Sequence, residues 1–160
     1  RSYRVSKVKL VLMSAGIKAN VGAASPGFRS LPAADLYLDC RAVAEKGIKG
    51  ASGKEKAFQD GVQAQSQSVL TSFHRLIEEA LLLLPDRRSD RVDPFDQPFV
   101  ICFFCAWGIH RSVASKFLLA ERLIKAGYNV EILPEVYSTD DLVDRVNELR
   151  RKPHTKGELP

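Results

Sequence analysis

The sequence predicts an α/β domain in which a mostly parallel sheet of about four strands has helices on both faces, a three-layer αβα architecture. Short apolar segments typical of buried strands alternate along the chain with longer amphipathic segments of helical period. The 160 residues are 45% hydrophobic and 27% charged, which is typical of one globular domain large enough to bury a core. We therefore expect one domain over residues 1–160, with its core over about 8–136 and a C-terminal helix over about 139–151.

Four apolar runs have the length and composition of strands. We expect the first to end in a loop at Ser14 to Gly16, and the second leads into Asp39 to Arg41. The third is apolar throughout, as central parallel strands are, because both of their faces are covered. The four runs span Val8 to Met13, Leu36 to Leu38, Phe99 to Phe104 and Val130 to Leu133.

Three segments have apolar residues at the three- and four-residue steps of an amphipathic helix. The first, Ala57 to Leu84, is expected to be one long helix that Pro85 ends. The second is expected to begin at residue 110 or 111 and to stop at Gly127. The third is expected to begin at a cap formed by Ser138 or Thr139.

The composition excludes several classes of protein. No apolar run, neither Ala80 to Leu84 nor the longer Phe99 to Trp107, approaches the roughly 18 residues that a membrane span requires, so we expect no membrane segment. The N-terminal residues are basic but lack the long apolar core of a signal peptide. Three cysteines, an odd count without a repeating spacing, argue against a secreted disulfide scaffold. These features predict a cytoplasmic protein.

The net charge of +5 is unevenly distributed along the chain. Residues 1–56 contain 11 basic and 4 acidic side chains, whereas residues 57–160 contain 13 and 15. A basic segment of this kind predicts an anionic partner, either a phosphorylated ligand or a nucleic acid, and the alternative is a solubilising surface. For an RNA partner, the candidate contacts are Lys18, Arg29, Lys46, Lys49 and Lys54.

The spacing of the residues argues against two common kinds of site, a nucleotide-phosphate loop and a zinc site. Gly47 to Lys54 has some features of a nucleotide-phosphate loop, but its glycines are one residue too far apart and Glu55 stands where a Mg²⁺-binding hydroxyl is needed. Cys102, Cys105 and His110 do not suit zinc, because residues three apart on a strand point to opposite faces and no fourth ligand is nearby. We therefore predict no metal and no cofactor.

The segment from Cys105 to Ser112 joins the third predicted strand to the following helix and carries the strongest functional signal. Backbone N–H groups and the positive end of the helix can converge there on an anion. Gly108 allows a tight bend, Arg111 offers two donors to one anion, and Ser112 offers a hydroxyl. His110, near a helix start, tends to be neutral and can donate one hydrogen bond. This segment is therefore predicted to bind a phosphate group.

The same segment fits C-x5-R-S, the pattern of phosphatases in which a cysteine thiolate attacks phosphorus. Such an enzyme also needs a carboxylic acid to protonate the leaving oxygen, and Asp39, Asp93 and Asp96 are the candidates. Trp107 is either a stacking surface for a sugar or base or a core residue. A phosphatase with Cys105 as nucleophile is the alternative to a noncatalytic binding module.

The order of these features resembles the carboxy-terminal domain family of RapZ, the bacterial RNase adapter protein. That family has a strand that ends in serine, a later Asp-x-Arg, a glycine-containing linker before a long helix, and then a C-x-x-G-x-H-R-S-V loop. The similarity spans about Val8 to Val136. The matching features here are Ser14, Asp39 to Arg41, Ser52 to Lys54, the helix from Ala57, and Cys105 to Val113.

The resemblance implies a pocket for an amino-sugar phosphate, glucosamine-6-phosphate in the bacterial adapter, and a basic surface that presents small RNA to a ribonuclease. The chain departs from the family pattern at Ala106, Trp107 and Ile109, which removes a donor and narrows the opening. We expect a noncatalytic module for a phosphorylated small molecule, with RNA as a second partner and a homo-oligomer as an open alternative to the monomer. By position, the ligand site comprises Ser14, Asp39, Arg41, Cys105, Gly108, His110, Arg111 and Ser112.

Overall fold

The sheet at the centre of the molecule is parallel throughout. The computed structural model describes residues 8–17, 31, 33–44, 46–48, 50, 52–84, 98–134 and 144–150. Within these residues the strands lie side by side in the order β2-β3-β1-β4, and every pair is parallel. The α/β class and the parallel sheet are therefore confirmed. The strands are β1 (Lys9–Gly16), β2 (Leu36–Asp39), β3 (Phe99–Cys105) and β4 (Asn129–Ile132).

The strand β1 is longer than its apolar run predicts. Ser14 lies inside this strand, is 6% exposed and stands opposite Phe103 of β3. The pairing continues to Gly16, which stands opposite Cys105. The expectation of a loop from Ser14 is therefore wrong, because the backbone of β3 keeps β1 extended beyond its last large apolar side chain.

Side chains alternate between the two faces of the sheet, and helices cover both faces. The first face packs against α1 (Lys56–Gln65), α2 (Gln67–Leu82) and α3 (Arg111–Lys125). The second face packs against the helical residues 144–150 through Val146 and Leu149. The three-layer architecture is therefore confirmed, and burying each large apolar side chain in these layers contributes roughly 1.5–3 kcal/mol.

The predicted long helix from Ala57 to Leu84 is instead two helices, because the chain leaves helical geometry at Ser66. The backbone of Ser66 has φ −125° and ψ 32°, and the residue is 2% exposed. Its hydroxyl accepts a hydrogen bond from the Ala44 N–H at 2.7 Å, which ties the junction of α1 and α2 to the loop after β2. Serine competes with helical geometry through such side-chain bonds, which is the physical reason for the break.

The helix α3 follows β3 and begins at Arg111, as predicted. Gly127 follows its end with φ 98° and donates its N–H to the Ile124 carbonyl at 3.0 Å, which confirms the predicted C-terminal stop. Lys116 of this helix is fully buried, and its ammonium donates to the Leu133 carbonyl at 2.9 Å. That bond holds α3 against the carboxyl end of β4.

Some expectations fall on parts of the chain outside the described ranges. They include Pro85 as a helix stop and Ser138 or Thr139 as the cap of the last helix. Among the described helices, none combines the length and the hydrophobicity that crossing a bilayer requires.

Candidate functional site

The junction between β3 and α3 folds back onto the sulfur of Cys105. Gly108 has φ 74°, and its N–H donates to Cys105 Sγ at 3.2 Å. The thiol of Cys105 in turn donates to Ser112 Oγ at 3.1 Å. Cys105 is 3% exposed and Ser112 is fully buried. The bend of residues 105–112, which we call the junction loop, is therefore built around one buried thiol.

Gly16, at the end of β1, lets the junction loop approach the sheet closely. A Cβ atom on Gly16 would lie 2.3 Å from the Trp107 carbonyl carbon, and one on Gly108 would lie 2.6 Å from the Gly16 nitrogen. The Ile17 N–H donates to the Cys105 carbonyl at 3.0 Å and holds the two segments together. Sequence patterns alone do not single out Gly16, because the close approach depends on the position of another segment.

Gly53 supports the junction loop from the other side. Its N–H donates to the Ile109 carbonyl at 2.9 Å. A Cβ atom there would lie 2.2 Å from the His110 carbonyl oxygen and 2.5 Å from the Ala114 nitrogen. Only a glycine fits this space without displacement of the backbone. Gly53 therefore packs against the start of α3, and Lys54 is the next residue along the chain.

Asp39, Arg41 and Arg111 meet at the carboxyl end of β2. The Asp39 carboxylate accepts from the Arg41 backbone N–H at 3.0 Å and from the Arg41 guanidinium at 2.9 and 2.7 Å. The Arg111 guanidinium donates to the Arg41 carbonyl at 3.1 Å. The structure thus brings three of the predicted ligand residues together although Arg111 is 70 residues from Arg41 in sequence.

The electrostatics of this group keep Asp39 ionised. The hydrogen bond from the Arg41 side chain is the main reason why the pKa of Asp39 lies below its ordinary value. Partial burial opposes this effect, while the Arg41 backbone N–H and the charge of Arg111 add to it. Asp39 is therefore an anion throughout the neutral range and can accept hydrogen bonds from a ligand.

The remaining predicted residues occupy different surroundings. Ser14 lies on the same face of the sheet as Phe103 and Cys105, and its buried hydroxyl has no hydrogen-bond partner among the described residues. The His110 ring packs against the Phe58 ring, with the ring centroids 5.5 Å apart. Ser14 thus lies within the sheet opposite Phe103, two residues before the junction loop begins, whereas His110 faces α1.

Two apolar side chains of the junction loop point to the surface. Trp107 is 58% exposed and Ile109 is 48% exposed. The interpretation of Trp107 as a core residue is therefore wrong. An exposed indole is suited to stacking on a sugar or a base.

Cys102 lies on the opposite face of the sheet from Cys105, as the strand alternation predicts. It is fully buried in the core beneath residues 144–150, and burial raises the pKa of its thiol to about 12. Among the described residues, no group of three or more His, Cys, Asp or Glu side chains could hold a metal ion.

The predicted RNA contacts are only partly within the described ranges. Lys46 and Lys54 are exposed. Lys18, Arg29 and Lys49 lie outside the described residues, as do the candidate acids Asp93 and Asp96.

The arrangement as a whole is a strand-to-helix bend with a positive-φ glycine, an arginine in the first helical turn and an ionised carboxylate nearby. Such a bend can hold an anion through backbone N–H groups and a guanidinium. No protein-family model matches the chain, and a search of curated proteins finds no match to it.

Proposed function

We propose that this domain is a noncatalytic module that binds a phosphorylated small molecule of the amino-sugar-phosphate type at the junction loop. The observation that carries the proposal is the placement of Arg111 in the first turn of α3, three residues after the positive-φ Gly108 and in contact with the Asp39–Arg41 pair. The resemblance to the RapZ carboxy-terminal domain family points to the same residues and the same class of ligand.

The phosphate end of the ligand is assigned to the start of α3. The first N–H groups of a helix have no partners within the helix, and together with the helix dipole they favour an anion. The side chain of His110, at the cap position, accepts no hydrogen bond from these groups. Arg111 then adds a charged donor with a planar, two-pronged geometry that matches phosphate oxygens.

The amino end of the ligand is assigned to Asp39. A carboxylate that stays ionised can accept a hydrogen bond from an ammonium group, and its two oxygens offer more lone pairs than the bonds from Arg41 occupy. An anionic acceptor beside a cationic donor suits a ligand that carries both charges, which an amino-sugar phosphate does.

A cysteine-dependent phosphatase is the second candidate, and one observation favours it. The Cys105 sulfur is contacted by the Gly108 N–H and by Ser112, as an attacking thiolate would require. Two observations count against it. Cys105 is 3% exposed, and Asp39 is held ionised by Arg41, so it has no proton to give to a leaving oxygen.

Phosphorus NMR of a glucosamine-6-phosphate titration separates the two functions in one experiment. We expect the ligand signal to shift saturably at concentrations of about 1 mM or below, with no inorganic phosphate released. Inorganic phosphate alone should bind more weakly, because it lacks the ammonium whose hydrogen bond Asp39 accepts. Release of phosphate that the Cys105→Ser variant abolishes would establish the phosphatase instead. No shift and no release would exclude both functions.

We propose in addition that the domain couples this ligand to RNA, as an adapter. Lys46 and Lys54 are exposed cations of the basic first third of the chain. Lys54 follows Gly53, whose N–H is bonded to the Ile109 carbonyl of the junction loop. A phosphate backbone that contacts Lys54 would therefore lie beside the ligand site, with Lys18, Arg29 and Lys49 as further candidate contacts.

The Lys54→Glu variant tests the RNA contact, and Lys125→Glu is its matched control. Both lysines are exposed, but they lie at opposite ends of α3, which at 15 residues is about 20 Å long. We expect filter retention of structured RNA to fall steeply with salt for the unmodified protein. Lys54→Glu should weaken retention about tenfold and flatten the salt dependence. An equal loss of RNA retention in the two variants, or retention that does not change with salt concentration, would contradict the proposal.

A further inference from the structure

Two buried cysteines, Cys40 and Cys105, directly follow the last paired residues of β2 and β3. The last register pair of β2 and β3 is Asp39 opposite Phe104. Cys105 is the next residue of β3, whereas Cys40 begins the one-turn 3-10 helix Cys40–Ala42 that follows β2. Both cysteines belong to the same core cluster on the same face of the sheet, 0% and 3% exposed. Asp39 and Phe104, the residues directly before the two cysteines, are paired across neighbouring strands that lie about 4.8 Å apart, and disulfides span Cα separations of roughly 4.4–6.8 Å.

We propose that Cys40 and Cys105 form a reversible disulfide on oxidation and that this disulfide switches off anion binding at the junction loop. The formation of the disulfide is independent of the function proposed above, whereas its effect on binding rests on that function. Transient, regulatory disulfides of this kind are the ones found in reducing compartments.

The two thiols have different surroundings and therefore different roles. The Cys105 sulfur accepts a hydrogen bond from the Gly108 N–H at 3.2 Å and lies in the junction loop, so we assign the attack on the oxidant to Cys105. Burial raises the pKa of the Cys40 thiol well above its ordinary value, and the nearby Cys105 adds a smaller increase. Because its thiol stays protonated, Cys40 is a poor nucleophile toward the oxidant. It is suited instead to the second step, in which it attacks the oxidised Cys105 sulfur.

Hydrogen peroxide is the oxidant we assign to the reaction, because a molecule with two heavy atoms needs far less access to the 3%-exposed Cys105 sulfur than a phosphate ester does. The Cys105 thiolate attacks one peroxide oxygen, the O–O bond breaks, and hydroxide leaves with the thiol proton as water, which produces a sulfenic acid. The Cys40 sulfur then attacks the Cys105 sulfur, the S–O bond breaks, and a second water leaves with the Cys40 proton. The two thiols together lose two electrons, and the peroxide gains them.

The disulfide would remove the bonds that shape the junction loop. The Cys105 sulfur now accepts from the Gly108 N–H and donates to Ser112 Oγ. Rotation of that sulfur toward Cys40 breaks both contacts, and Gly108 loses its anchor at the centre of the bend. Cys40 also precedes Arg41, whose carbonyl accepts a hydrogen bond from the Arg111 guanidinium. Movement of Cys40 therefore displaces the Arg111 side chain as well.

Cys102 provides a matched control inside the same strand. It lies on the opposite face of β3 and cannot reach Cys40. Trypsin releases Cys40 in peptide 30–41 and both other cysteines in peptide 92–111. In a Cys102→Ser background the second peptide contains only Cys105, so the cross-link is assigned without ambiguity by mass spectrometry.

We expect peroxide to join peptides 30–41 and 92–111 in the unmodified protein and in Cys102→Ser, and dithiothreitol to separate them. Cys40→Ser and Cys105→Ser should show no cross-link. The oxidised protein should bind glucosamine-6-phosphate at least tenfold more weakly than the reduced protein. Circular dichroism of each variant confirms its fold, and the unmodified protein and Cys102→Ser suffice if Cys40→Ser does not fold.

Three results would overturn the inference. They are a Cys102–Cys105 disulfide, terminal oxidation of Cys105 without any cross-link, and no oxidation of either thiol in the folded protein. An unchanged ligand affinity after complete cross-linking would show that the disulfide forms but does not control binding, and would overturn that part of the proposal. If the reduced protein binds no ligand while the cross-link forms, the proposed function fails and the disulfide stands.

Discussion

Replacing Gly108 with alanine is expected to lower the free energy of unfolding by about 2–5 kcal/mol and to abolish anion binding. The backbone at Gly108 has φ 74°, where a Cβ atom is strained whatever the space around it. In addition, that Cβ would lie 2.6 Å from the Gly16 nitrogen and 2.8 Å from the Ala15 carbonyl carbon. Because both atoms are backbone of β1, the strand or the junction loop must move.

Gly47→Ala is the matched control for this substitution. Gly47 has φ 78°, nearly the same as Gly108, but among the described residues no heavy atom lies within 4 Å of the place that its Cβ would take. We expect Gly47→Ala to lower the free energy of unfolding by only about 1 kcal/mol, the cost of a Cβ atom at positive φ, and to leave the affinity for anions unchanged. Urea unfolding measures both variants. Equal losses for the two would contradict the close packing of the junction loop on β1.

The sheet could be predicted from the sequence because its central strands are buried on both faces, and their apolar runs are therefore continuous. The break between α1 and α2 could not be predicted from the sequence. The apolar period is interrupted by the polar residues Gln65 to Ser68, but a polar stretch of this kind also occurs within continuous helices, and the bond from the Ala44 N–H to the Ser66 hydroxyl that accompanies the break comes from a distant segment. The extended geometry of Ser14 escapes prediction for a related reason, since pairing with β3 imposes it.

The candidate site was predictable to the extent that it is local. A strand followed by Cys105 to Ser112 and a helix identifies the bend, its glycine and its arginine. The contacts that shape the bend are between residues distant in sequence. Gly16 and Gly53 are needed because backbone atoms of the junction loop and α3 occupy the space that a Cβ atom would take there. The placement of Cys40 and Cys105 directly after a register pair likewise depends on the register of β2 and β3, which sequence periodicity does not fix.

Replacing Arg111 with glutamine is expected to weaken binding of glucosamine-6-phosphate about 10- to 100-fold. A hydrogen bond to a charged group contributes about 1.5–3 kcal/mol, and each 1.4 kcal/mol changes affinity about tenfold. The fold should lose less than about 1 kcal/mol, because the bond from the Arg111 side chain to the Arg41 carbonyl lies at the exposed surface. Arg111→Lys keeps the charge but not the two-pronged geometry, so it should recover only part of the affinity.

Arg122→Gln separates loss of the ligand contact from a general change in the charge of α3. Arg122 lies on the same helix and also donates a hydrogen bond from its guanidinium, to Thr71 Oγ1 at 3.2 Å. It is eleven residues further along the helix, beyond reach of an anion at the first turn. Calorimetric titration should therefore give an unchanged affinity for Arg122→Gln. If Arg111→Gln bound the ligand as tightly as Arg122→Gln, the phosphate would not lie at the start of α3.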